Sequence, residues 1–216
     1  MAIIDQKLKA QIAGTFSKGL KDEVRIWLFT SKDKAVCEQC ENTTTLVREL
    51  CEIDPRLKLF EYDIDEHRKE AKVLGVERAP ALLLQGAKPA GIYYYGIPSG
   101  YEFGSLLEDI IDVSNSRSRL SEKTKEAARS IDADIDIKVF VTPTCPYCPE
   151  AVRTAHQIAL ENSRVRASMI EAMEFSDLAE RYGVMGVPKV VINDKVSFEG
   201  AVPEDTFIAH INEALA

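Results

Sequence analysis

Basic clusters, long apolar runs and histidines are what this chain of 216 residues has little of. Its formal charge is −8 and no dense Lys/Arg run occurs, which argues against a nucleic-acid partner, because a phosphate-binding protein displays a basic stripe. No segment reaches the ~18 consecutive apolar residues that a membrane span needs. The opening stretch MAIIDQKLKAQIAGTF breaks its apolar residues with Asp5, Lys7 and Lys9, unlike the apolar core of a signal peptide. The expectation is a cytoplasmic protein with no membrane partner. The acidic stretches DIDEH and DADIDI lack the glycine-containing loop of a calcium site and read as solvated loops and helix starts. The low hydrophobicity of disordered chains is also missing: 45% of residues are apolar and 29% charged, an ordinary globular balance. Abundant Glu and Lys with few Asn and Gln is compatible with a thermophile.

What is present is a pattern of cysteines. There are five, Cys37, Cys40, Cys51, Cys145 and Cys148, and two pairs share the spacing CxxC. Moving the chain by 108 positions, half its length, lays the first pair on the second. The same shift carries Gly75 and Val76 onto Gly183 and Val184, Pro80 onto Pro188, Leu50 onto Ile158 and Arg56 onto Arg164. Each CxxC therefore lies 43 residues ahead of an equivalent proline. This register implies two homologous units, 1–118 and 119–216, divided in the polar, non-periodic stretch that ends at Arg119. Each unit reads in the same order: an opening helix, a strand (VRIWLF or IKVFV), the CxxC at a helix start, a strand, a short helix, a proline followed by a hairpin (PALLL and IYYY; PKVVI and KVSFEG) and a closing helix. The fold class is α/β, with a four-stranded mixed sheet flanked by helices in each unit.

Cysteines three apart at a helix start share one face, within the ~4.4 to 6.8 Å Cα separation that a disulfide allows. The positive end of the helix favours a thiolate, the species that attacks disulfides. Cys37 and Cys145 are the expected nucleophiles, and Cys40 and Cys148 the thiols that resolve a mixed disulfide with substrate. Glu38 opposes ionisation of Cys37, whereas Pro146 leaves Cys145 uncharged surroundings, so Cys145 is expected to be the more acidic and more reactive. A permanent staple and a zinc site of four cysteines are the competing readings; the ~105 residues between pairs, one to each unit, are unlike a compact zinc ribbon. Cys51 aligns with Ala159 on an apolar helix face and reads as a buried inert thiol. His67, His156 and His210 share no position between the units and read as solvated or partly buried helix residues without a catalytic role. Tyr93 to Tyr95 are expected to alternate between core and surface.

The segment TPTCPYCPEAV is similar to the active-site turn of glutaredoxins. Two thioredoxin-like units in one chain, with paired CxxC and paired proline, resemble the protein disulfide oxidoreductases of thermophilic archaea and bacteria. The stretch YYYGIPSGYEFGSLLEDIIDVS looks like the corresponding segment of that family. The resemblance implies a thioredoxin fold in each unit and dithiol-disulfide exchange on protein substrates without a bound cofactor. It also implies cis bonds before Pro80 and Pro188, turning the backbones of Ala79 and Val187 toward an extended substrate. Tyr147, within the turn, reads either as part of the substrate surface or as an incidental exposed residue. An alternative is an electron-transfer module between a thioredoxin-reductase-like flavoprotein and a peroxiredoxin. The chain departs from thioredoxins six residues before each first cysteine, where Ser31 and Val139 replace a buried carboxylate, and immediately before it, where Val36 and Thr144 replace Trp. No general base is identifiable.

Alkylation rates of the reduced protein, measured against pH, are expected to show Cys145 ionising at lower pH than Cys37. The reverse order would contradict the assignment.

Overall fold

The computed structural model describes residues 2–216. The first unit runs α1 (Gln6–Gly19), β1 (Val24–Thr30), α2 (Cys40–Cys51), β2 (Leu57–Asp63), α3 (Arg68–Val73), β3 (Ala81–Gln85), β4 (Gly91–Tyr95) and α4 (Tyr101–Asn115). The second repeats it as α5 (Glu122–Arg129), β5 (Ile135–Val141), α6 (Cys148–Glu161), β6 (Val165–Glu171), α7 (Ser176–Arg181), β7 (Lys189–Ile192), β8 (Val196–Glu199) and α8 (Glu204–Leu215). In each, the first two strands run parallel, joined through a crossover helix, and the hairpin adds antiparallel on the other side. Caps agree with the local sequence. The Asp5 side chain accepts from Leu8 N–H to start α1, and Ser121 accepts from Thr124 N–H to start α5.

The two half-sheets are one. β4 pairs in parallel with β6, from Gly91 opposite Arg166 to Tyr95 opposite Ile170, giving an eight-stranded sheet in the order β2-β1-β3-β4-β6-β5-β7-β8. Gly91 permits the approach, since a Cβ there would collide with the Val165 carbonyl oxygen. The strands that meet at the seam are largely buried, and Arg166 and Glu171 are the charged side chains they carry. The strands left at the rims keep charges: Lys58, Glu61 and Asp63 on β2, and Glu199 on β8, features that discourage further pairing.

Helices α4 and α6 lie side by side over the seam and run parallel. Contacts climb both in register: Tyr101 N–H donates to Pro143 O at 3.1 Å, Asp109 meets Arg153 and His156, and Arg119 N–H, past the end of α4, meets Gln157. The middle of this pair holds a buried charge network. The Asp109 carboxylate, 1% exposed, receives the Tyr94 hydroxyl, the Arg153 guanidinium and, at 2.6 Å, Nδ1 of His156. Arg153 also binds Asp112, whose pKa burial pushes up to about 6 against the pull of Arg119. His156 is wholly buried, beyond the solvated or partly buried helix position that the sequence suggested. Burial and the nearby guanidinium push its pKa down to about 3, so the neutral ring donates from Nδ1 and leaves Nε2 unpartnered.

On the opposite face of the seam Arg166 donates to Gly75 O at 2.7 Å and to the Tyr95 hydroxyl at 2.6 Å, and stacks 4.0 Å from the Tyr93 ring. Tyr95 is therefore buried and Tyr93 half-buried under Arg166, where the sequence suggested alternation between core and surface. The connector between the units is no free linker either: Ser118 and Leu120 are buried.

Removing one partner of a buried ion pair strands the other charge, at a cost of about 3 to 5 kcal/mol. Asp109→Ala is expected to lose stability of that order in urea unfolding, while Asp65→Ala, at an exposed pair with Arg68, should leave it nearly unchanged.

Candidate active site

Each crossover helix begins at the second cysteine of its pair, α2 at Cys40 and α6 at Cys148. The first cysteines sit in the turn ahead of the helix, not within its first turn as the sequence suggested. Asp33 shapes the loop before Cys37: its side chain accepts from Ala35 N–H at 2.9 Å and its carbonyl oxygen from Cys37 N–H at 3.0 Å. Pro149 occupies the start of α6, where a missing N–H costs nothing. Both pairs are closed as disulfides, Cys37–Cys40 and Cys145–Cys148, with Cα atoms 5.4 and 5.5 Å apart. Among the described residues no three His, Cys, Asp or Glu side chains converge on a possible metal position.

The surroundings of the two sulfur pairs differ. At the second site the Cys148 N–H points at Cys145 Sγ at 3.2 Å, and Val187 O lies 3.7 Å from the same sulfur. At the first site the sulfur receiving a backbone N–H is the other one: Ser31 N–H donates to Cys40 Sγ at 3.2 Å. The bonds Ala79–Pro80 and Val187–Pro188 are cis, as the resemblance implied. Ala79 and Pro80 line a cavity of about 350 Å³ with Cys37. Large apolar side chains stand exposed around both sites: Val36 and Met173 beside Cys37, Tyr147 between Cys145 and Cys148, and Met185 two residues before Val187. Tyr147 is 68% exposed.

Cys51 is half-buried and unpaired, and burial pushes its pKa up to about 12, which leaves it a poor nucleophile at neutral pH.

Sequence reasoning named no assisting carboxylate; the structure buries a carboxyl on α4. Glu102, in the first turn of α4, is 1% exposed and neither carboxyl oxygen has a hydrogen-bond partner in good geometry. Burial pushes its pKa up to about 7, against a smaller lowering by the Ser105 hydroxyl. Since α4 and α6 run parallel in register, Glu102, about 10 Å ahead of Asp109 along its helix, is level with Cys148, about 12 Å ahead of His156 on the other. The second unit's own position, Val139, is apolar. Glu102, Ser105 and Asp109 sit on the apolar face of α4 beside Leu106 and Ile110. Polar residues on a buried helix face are the signal that could have found them. The junction is close-fitted: Gly100 has φ of 59°, and a Cβ there would collide with Pro143 O.

A thioredoxin-domain family model matches residues 135–213. The crystal structure of a protein disulfide oxidoreductase from Aeropyrum pernix is 32% identical, superposes with a TM-score of 0.91, and covers 99% of this chain and 94% of that one. A structure of the alkyl hydroperoxide reductase AhpF from Enterococcus faecalis is 26% identical with a TM-score of 0.87, over 98% of this chain and 99% of that one. In sequence, the corresponding alkyl hydroperoxide reductase protein of Pseudomonas aeruginosa is 27% identical over 58% of this chain and 24% of its own length. The chain spans only 24% to 37% of the first curated relatives it matches.

In carbon-detected NMR of the oxidised protein, the Glu102 side-chain carboxyl should titrate with a midpoint near 7, and Glu102→Gln should delete that resonance. A midpoint near the ordinary 4.5 would show that the carboxyl is hydrated.

Proposed function

The chain belongs to the protein disulfide oxidoreductase family and is a thiol-disulfide oxidoreductase; from that premise we propose that both CxxC pairs act on protein substrates in the cytoplasm, Cys145–Cys148 being the more reactive. The units are taken to divide at 118/119. The observation that carries the contrast is the Cys148 N–H aimed at Cys145 Sγ at the head of α6. In the reduced protein such a donor stabilises a Cys145 thiolate, by about 1.5 to 3 kcal/mol for a hydrogen bond to a charged group. At the first site the backbone donor to sulfur is Ser31 N–H, which serves Cys40, and Glu38 adjoins Cys37, so Cys37 lacks the same support.

The reaction balances without a bound cofactor. The Cys145 thiolate attacks one sulfur of a substrate disulfide, forming a mixed disulfide and releasing a substrate thiolate. Cys148 then gives up its proton and attacks Cys145 Sγ. The enzyme disulfide closes, the second substrate thiolate leaves, and two electrons have passed from the dithiol to the substrate. Cys148 is wholly buried, so its proton needs a local acceptor, and Glu102 is that group in this reading. A carboxyl titrating near 7 can take the proton from Cys148 and, in the reverse reaction, return it. Substrate lies along the backbones of Ala79 and Val187 beside Pro80 and Pro188. Tyr147 and the exposed apolar residues near the cysteines supply the surface an unfolded or partly folded protein would contact.

A second reading is favoured by the likeness to the alkyl hydroperoxide reductase AhpF: a module passing electrons from a flavoprotein to a peroxiredoxin. The two readings share the exchange chemistry and differ in substrate range.

Reduction of insulin disulfides separates them. Cys145→Ser/Cys148→Ser is expected to lose at least tenfold in rate, and Cys37→Ser/Cys40→Ser to lose less. Activity confined to a peroxiredoxin would favour the module, and a greater loss on removing the first pair would overturn the order of reactivity.

A further inference from the structure

We propose that Glu174, carried by the second unit, sets the charge selectivity of the Cys37–Cys40 site, favouring disulfides with cationic flanking groups over anionic ones. The inference rests on the reading of Cys37–Cys40 as an exchange site.

The segment after β6 is fixed by Glu171, whose carboxylate accepts from Met173 N–H at 3.2 Å and Glu174 N–H at 2.6 Å. The Glu174 carboxylate in turn accepts from Ile97 N–H of the first unit, at 2.6 Å. Held this way, Met173 and Glu174 form one wall of the cavity whose other walls include Cys37, Glu38, Ala79 and Pro80. A disulfide reaching Cys37 along the Ala79–Pro80 side passes between two carboxylates, Glu38 from one unit and Glu174 from the other. Lys34 also lines the cavity, and its ammonium lies 3.9 Å from the Glu41 carboxylate. In the adjoining cleft, Arg68, Lys72 and Arg78 are matched by Asp65, Glu77 and Asp177, an acid for each base. The cleft on the other side of Cys37 adds Lys32 and Arg48, each paired with an acid, Glu66 and Glu61, so Glu38 and Glu174 are the charges left unmatched on the Ala79–Pro80 side; charge near a docking path changes encounter rates according to the sign of the partner.

The selectivity is pH-dependent. Burial raises the Glu174 pKa to about 7, with Glu171 and Glu38 adding to the rise and the Ile97 hydrogen bond opposing it. Glu174 is therefore charged above neutrality and loses its charge as pH falls through about 7. The cationic preference is full at pH 8 and weakened at pH 6.

The test uses full-length Cys145→Ser/Cys148→Ser protein, reduced and freed of reductant, reacted with cystamine or oxidised glutathione. Loss of the Cys37 and Cys40 thiols is followed by quenching with an alkylating agent and mass spectrometry. Any change in Cys37 ionisation affects both reagents alike and cancels in the ratio of their rate constants. Glu174→Gln, which keeps an oxygen for Ile97 N–H, should lower the cystamine-to-glutathione ratio on the order of threefold to tenfold at pH 8 and much less at pH 6. Glu38→Gln, which leaves the Ile97 contact untouched, should move the ratio the same way. Reaction with an unaltered ratio in Glu174→Gln overturns the selectivity proposal alone. No reaction with either reagent removes the first pair as an exchange site, and the proposal with it.

Discussion

The parallel pairing of β4 with β6 is the constraint from which the rest of the structure follows. Two thioredoxin-like units joined only by a connector could take many relative positions. Joined through five residue pairs of one sheet, they have a single register, and a slip by one residue would turn Tyr93, Tyr94 and Tyr95 to the wrong faces. That register brings α4 beside α6 and sets Gly100 against Pro143. It also carries the segment after β6 over the first unit's cysteines.

Fusing the sheets places charge in the interior, because helix faces that would be solvated in a lone unit are covered at the seam. Asp109, Asp112, Arg153 and His156 answer this by satisfying one another across the unit boundary. Buried ion pairs often add little net stability, since desolvation offsets their attraction, but breaking one is costly. Their effect here is to specify which helix lies against which, and at what level. Glu102 lies on the same helix face without such partners, which is why its carboxyl titrates near neutrality while Asp109 is committed to three donors.

Duplication has left two sites with a common frame and different electrostatics. Each has a cysteine pair at the head of a crossover helix and a proline-preceded strand alongside. Each also borrows from the other unit: the second site receives the turn at Gly100 and Tyr101, and the first receives Met173 and Glu174. One site has a backbone donor on its first sulfur, the other on its second, and only the first has a carboxylate between its cysteines. Such differences suit two redox centres to different partners or potentials within one chain.

Much of this was legible in the sequence. The shift of 108 residues, the CxxC spacing and the matched glycines and prolines determined two α/β units, the order of their strands and helices, and the positions of the two cysteine pairs, because local patterning and repeat register are properties of the linear chain. Partnerships between units were not legible. β2 and β6 occupy equivalent places in their units, yet only the contrast between LKLFEY and VRASMI hinted that one stays at a rim and the other is enclosed. His156 read as a solvated or partly buried helix residue and Glu102 drew no reading at all, because nothing in their neighbours along the chain reveals what covers them. Only tertiary structure decided their burial and the approach of Glu174 to Cys37, since solvation and charge proximity depend on contacts between residues about 40 to 140 positions apart.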